Sequence, residues 1–119
     1  MLELSGVSVG GSLMGLDIRF TQRKKNFCPH CGEYVNYTDL EQAESSGRVW
    51  YDLLKSIGYY VPEAEHDEWY GKDMELTKEA AREAYKFVNL NDAYNSREIA
   101  NLIAVAMYDE DVVVVNADW

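Results

Sequence analysis

The sequence predicts a small α+β domain, with a modest antiparallel or mixed sheet covered by about three helices. Three observations carry that expectation. Leu16, Ile18 and Phe20 alternate with Asp17, Arg19 and Thr21, the period of two that a half-buried strand shows. Three later segments carry apolar residues at three- and four-residue spacing, as amphipathic helices do. Near the end, Val112–Val115 is a run of four valines, suited to a strand covered on both faces and added to the sheet of the first strands. The chain has 119 residues, 47% hydrophobic and 13% aromatic, which is enough for one core and too little for two ordinary domains. Residues 1–119 therefore read as a single domain.

Taken in order, Val7 and Val9 precede Gly10-Gly11, a pair able to turn a short strand back onto the next. A second reading takes Met14 as an alternative start and residues 1–13 as an N-terminal appendage, because the strong alternation begins only at Leu16. Leu16–Phe27 and Glu33–Thr38 are expected to pair as a hairpin, with residues 24–37 forming its Cys-Pro-His-Cys-Gly tip. Thr38-Asp39-Leu40-Glu41 has the Thr-x-x-Glu spacing of a capping box, which predicts a helix starting there and interrupted near Ser45-Ser46-Gly47. Val49, Trp50, Leu53, Leu54 and Ile57 then form one apolar stripe, with Gly58 placed to stop it. Residues 59–74 hold Pro62 and Gly71, lack a period and read as a long surface loop. Thr77 caps a helix with Ala81, Ala84, Tyr85 and Val88 inward; Asn95 or Ser96 caps another with Ile99, Leu102, Ile103 and Ala106 inward.

Charge is unevenly placed. The chain carries 11 basic and 21 acidic residues, net −10. Residues 1–37 have four basic against three acidic, whereas residues 38–119 have seven basic against eighteen acidic. That field repels phosphate backbones and favours a basic protein partner over direct nucleic-acid binding. An acidic surface also serves plain solubility. No apolar run reaches the roughly 18 residues of a membrane span, and the N-terminus lacks the basic and apolar regions of a signal peptide. The expectation is a cytoplasmic protein without membrane contact, in which two cysteines stay reduced.

The chemistry-bearing motif is "FCPHCGEYV". Cys28 and Cys31 are the two cysteines of the chain, and two residues between them allow both sulfurs to reach one zinc ion. The stretch resembles half of the zinc ribbon family, in which two such hairpin tips share one metal. The second half is absent, which leaves three completions open: His66 with a neighbouring carboxylate such as Asp67 or Glu65, a second chain giving its own pair in a homodimer, or His30 inside the turn. Two reduced cysteines without metal are the plain alternative. A redox pair of the thioredoxin type fits poorly, because that motif opens a long helix and here "EYVNY" continues as strand. Neither a Gly-rich phosphate loop, nor a His-Glu-x-x-His helix, nor a nucleophile elbow is present. Glu63, Glu65, Asp67 and Glu68 crowd one loop; they read as a solvated surface able to meet a basic partner rather than as an acid–base pair.

The pieces "GLDIRF", "VNYTDL", "VWYDLLKSIG" and "DVVVVNADW" are similar to those of small proteins encoded by bacteriophages and prophages. No activity comes with that resemblance. It implies a non-enzymatic accessory protein in a host bacterium, such as an inhibitor whose carboxylates imitate a phosphate field and occupy the basic surface of a host defence or nucleic-acid-handling protein. The competing expectation is a zinc-binding regulator or metal-dependent enzyme using Cys28 and Cys31.

Overall fold

A computed structural model describes residues 16–62 and 68–119. The alternating segment forms strand β1 (Asp17–Phe27), which turns back antiparallel as β2 (Tyr34–Ser46). A helix α1 (Trp50–Ser56), a two-residue strand β3 (Met74–Glu75) and helices α2 (Lys78–Leu90) and α3 (Ser96–Tyr108) follow, and β4 (Val112–Asp118) closes the chain. All strand pairs are antiparallel and the sheet order is β2-β1-β4-β3. The fold is thus the expected small α+β domain. The expected edge strand before β1 and the alternative start at Met14 lie outside the described residues.

Alternation decides which side of the sheet is covered. Ile18 and Phe20 of β1, Ala43 of β2, and Val113, Val115 and Ala117 of β4 share the face that packs with the helices. Trp50, Leu53 and Leu54 fill the space above β1 from α1, with the Phe20 and Trp50 rings 5.5 Å apart. Ala81, Ala84 and Val88 contribute from α2, and Ile99, Leu102, Ile103 and Ala106 from α3. Each large side chain buried here stabilises the fold by about 1.5–3 kcal/mol relative to exposure. The valine run is buried on both sides: Val113 and Val115 join the helical core, while Val114, 1% exposed, faces the other way between Thr21 and Glu75.

Four expectations need correction. Residues 38–46 are strand, not helix. Thr38 pairs with Lys24 and its hydroxyl accepts from Asn26 Nδ2, while Asp39 and Glu41 stand opposite Arg23 and Gln22. A capping box is a local signal, and an unpaired flank of an eleven-residue strand outweighs it. Tyr85 is exposed rather than inward, because Ala81, Ala84 and Val88 hold the buried stripe and Tyr85 is one step around the helix from Ala84. Asn95 occupies the cap position of α3 in a left-handed conformation (φ 61°) without capping it; its side-chain amide instead donates to the Glu44 carbonyl. The segment after α1 is not all surface loop. Tyr59 is 2% exposed, its hydroxyl accepts from the Ala117 amide (2.8 Å) and donates to the Lys72 carbonyl (2.6 Å), and burial raises its pKa. Trp119 gathers Tyr51, Tyr59, Tyr60 and Tyr70 around it with ring separations of 4.8–6.4 Å.

Two helices end in the same motif with different residues. After α1, Tyr59 donates to the Leu54 carbonyl and Gly58 to that of Lys55, with Gly58 at φ 78°. After α3, Asp111 donates to Ala106 and Glu110 to Met107, with Glu110 at φ 60°. Both are Schellman endings, which need a left-handed residue. Only Gly58 adopts it without steric cost.

Candidate functional site

The ladder between β1 and β4 stops at Arg23 opposite Val112, but that between β1 and β2 continues to Phe27 opposite Tyr34. Residues 24–27 and 34–38 therefore leave the sheet as a two-stranded ribbon, about 13 Å long at roughly 3.3 Å per residue. Two irregularities shape it. The pairing steps from Glu41 to Asp39 and from Asn36 to Tyr34, leaving Leu40 and Val35 as extra residues that increase the local twist. Both are exposed apolar side chains.

The sides of the ribbon differ. One is polar, with Asn26 Nδ2 donating to Asn36 Oδ1 and Thr38 Oγ1. The other is aromatic and cationic: the Arg23 guanidinium lies 3.8 Å from the Tyr37 ring centroid, Lys25 Nζ lies 5.5 Å from that of Tyr34, and Tyr34 meets Phe27 edge-on at 6.1 Å. Phe27, Tyr34 and Tyr37 nevertheless remain about half exposed.

At the ribbon's end, Cys28 N–H donates to the Glu33 carbonyl and Gly32 N–H to the Cys28 carbonyl, both at 2.8 Å. Gly32 sits at φ 74°, where a side chain would be strained. This tight turn aims the amides of Cys31 and His30 at the Cys28 sulfur, which also accepts from the Cys31 thiol; these bonds lower the Cys28 pKa. Such amide bonds to sulfur are the setting in which paired cysteines hold zinc. No disulfide joins Cys28 and Cys31, the first half-buried and the second exposed. His30 is exposed in the same turn.

The other expected site residues do not join them. His66, Glu63, Glu65 and Asp67 lie outside the described residues, and Glu68 is exposed. Among the described residues, no group of three or more His, Cys, Asp or Glu side chains could hold a metal. The tip supplies two ligands of the four that zinc takes.

The sequence reading missed a charged cluster where the ribbon meets the sheet. The Arg23 side chain is only 8% exposed. Its Nε donates to Asp39 Oδ1 at 2.8 Å, its Nη2 to Asp73 Oδ2 at 3.0 Å, and Glu75 lies 3.8 Å from Nη1. Lys25 Nζ pairs with Glu75 at 2.7 Å. The bond with Asp39 chiefly holds the guanidinium protonated. Asp73 is pulled below the usual carboxylate range, first by the Asn116 amide (2.9 Å) and then by Arg23, against the opposing effect of burial. No local pattern marks Arg23 for this role, because its partners stand 16 to 52 positions away in the chain.

Compared with protein-family models, curated proteins and solved structures, the chain matches none. Among the described residues, no helix is long and apolar enough to cross a membrane.

Proposed function

We propose that the chain is a non-enzymatic protein-binding module of the host cytoplasm, phage-encoded as the sequence resemblance implies, whose acidic body occupies the basic surface of a defence or nucleic-acid-handling protein. One observation carries this reading. Among the described carboxylates, only Asp39, Asp73, Glu75 and Glu83 have a cation within ion-pair distance, and three of those four serve the Arg23 and Lys25 cluster. Apart from the half-buried Asp111, which accepts from Gln22 Nε2, the rest, including Glu41, Glu44, Glu98, Asp109 and Asp118, are exposed without one, so the field of a chain of net charge −10 is left largely uncompensated at the surface. Such a field steers a basic partner and repels free nucleic acid.

The test is a pull-down from bacterial lysate followed by titration calorimetry of the recovered protein at two salt concentrations. Affinity falls steeply with salt if surface charge drives binding, because screening acts beyond about 8 Å at physiological ionic strength. Replacing Glu63, Glu65, Asp67 and Glu68 with lysine weakens binding and leaves the melting temperature in place. Salt-independent binding overturns the proposal. The second reading, a zinc-binding regulator or metal-dependent enzyme, is favoured by a different observation, the tight turn at the ribbon tip that holds Cys28 and Cys31 two residues apart.

A further inference from the structure

We propose that the ribbon tip is half of a zinc site, completed by Cys28 and Cys31 of a second copy of this chain, so that four thiolates from two tips enclose one ion. The inference stands independently of the acidic-surface reading.

Ligand number is the first argument. Zinc in a structural site takes four ligands in a tetrahedron, and a chain with two cysteines supplies half a tetrathiolate set. The half that exists is organised before any metal arrives: Gly32 at φ 74° and the 2.8 Å bonds of the turn fix the backbone that carries both thiols. Binding therefore orders little backbone, and the thiol protons pass to solvent as the metal enters. His30, between the two cysteines in sequence, is exposed, and no third ligand group assembles among the described residues.

Access is the second argument. The tip stands at the end of a ribbon that has left the sheet, so two tips meet without collision between the bodies. Each body is strongly acidic, but a separation of two ribbon lengths exceeds the Debye length of about 8 Å at physiological ionic strength. Close to the ion, the exposed Lys24 precedes Cys28 by four residues without an acidic partner of its own among the described residues and offsets part of the negative charge of the tetrathiolate unit.

The third argument is apolar area. Phe27, Tyr34 and Val35 are 56%, 51% and 60% exposed; Phe27 immediately precedes Cys28, and Tyr34 and Val35 follow Cys31 by three and four positions. A tip-to-tip pair about a two-fold axis covers them against their own counterparts, an isologous contact of the kind that closes a dimer. A single chain leaves them in water.

The experiment uses the full chain, kept reduced, titrated with Co2+ and then displaced with Zn2+ while light scattering follows the mass. The expected result is intense thiolate-to-cobalt absorption saturating at one metal per two chains, together with metal-dependent conversion of monomer to dimer. Cys28→Ser and Cys31→Ser each abolish both signals, whereas His66→Ala changes neither. The serine variants keep the wild-type thermal melt of the metal-free chain, which shows that loss of metal is not loss of fold. Saturation at one metal per chain on a monomer, with loss on His66→Ala, assigns the site within one chain and overturns the proposal. So does the absence of thiolate absorption, or a dimer that forms equally well in the presence of a chelator.

Discussion

The two ends of β1 share a backbone conformation and almost nothing else. From Ile18 to Arg23 the strand is paired on both flanks, and Phe20, Thr21, Gln22 and Arg23 are all buried. From Lys24 to Phe27 it is paired on one flank, and Phe27 is more exposed than buried. The sequence does not thin out at the boundary; Phe27, Tyr34, Val35 and Tyr37 are as apolar as the residues of the core. What changes is the supply of partners, since β4 begins only at Val112, opposite Arg23. Apolar residues that leave the core in this way remain about half in water within the monomer, so their contribution to folding is smaller than that of the core and their exposed area is available for binding.

The strongest test of that contrast removes a side chain from the inner end. Trp50 is fully buried, packs at a tilt against Phe20 and Phe87, and donates from Nε1 to Ser45 Oγ at 2.9 Å. Trp50→Ala should cost about 3–5 kcal/mol, the range for emptying a large aromatic site. Urea unfolding measures it. A loss below about 1 kcal/mol would mean that α1 does not seal the inner end of β1.

Next in size is the boundary residue. Arg23→Met keeps most of the apolar stem but leaves Asp39, Asp73 and Glu75 without their shared cation. These carboxylates are 32%, 41% and 39% exposed, so water recovers part of the loss, and a cost of about 1–3 kcal/mol is expected rather than the larger penalty of a fully buried pair. The pH dependence has a definite sign. Asp73 has its folded pKa below 3.8, so its stabilisation is present above that value and is lost as pH falls through the folded pKa. In Arg23→Met the depression shrinks, and the acid limb of stability against pH becomes shallower. An unchanged acid limb would assign the depression to the Asn116 hydrogen bond and the Arg19 charge.

These residues also show how much the sequence could say. Ile18, Phe20, Trp50, Leu53 and the inner stripes of α2 and α3 announce themselves by period, because a buried face needs apolar residues at fixed spacing. The knuckle is equally legible, since two thiols and a glycine at fixed offsets are a local device. The course of residues 38–46 is not legible in the same way: Thr38 to Glu41 satisfies a helix cap locally, and only the exposed flank of β1 makes strand the better answer. The Arg23 cluster is less legible still. Its three carboxylates come from β2, β3 and the turn before β3, and nothing in the neighbourhood of Arg23 specifies that they converge. Tyr59 escaped for the same reason, its partner Ala117 being 58 positions away.

A smaller effect, of opposite sign, lies away from the ribbon. Glu110 holds the left-handed position that Gly58 holds after α1, and adds a carboxylate beside the negative end of α3. Glu110→Gly should stabilise the chain by about 1 kcal/mol, from relieved backbone strain less the added freedom of the unfolded glycine. Thermal denaturation would register it as a higher midpoint. A destabilised variant would show that the Glu110 side chain has a stabilising role that outweighs the strain.

The smallest expected change is the one that separates the two ends of β1 most directly. Val35 is an extra residue in the ribbon, 60% exposed, with no ladder partner of its own. Val35→Ser removes an apolar side chain of the size that, in the core, would be costly; here it should alter stability by no more than about 0.5 kcal/mol, because water already reaches most of it in the folded monomer. The same substitution should weaken the metal-linked dimer, where Val35, four positions after Cys31, gains cover only when a second tip arrives. Urea titration of the metal-free chain measures the first quantity, and the chain concentration at which the cobalt-loaded dimer dissociates measures the second. A cost above about 2 kcal/mol in the metal-free chain would place Val35 inside a core that the pairing of β1 does not account for, and would remove the distinction between the two ends. An unchanged dimer would leave the distinction intact and locate the contact between chains in the thiolates alone.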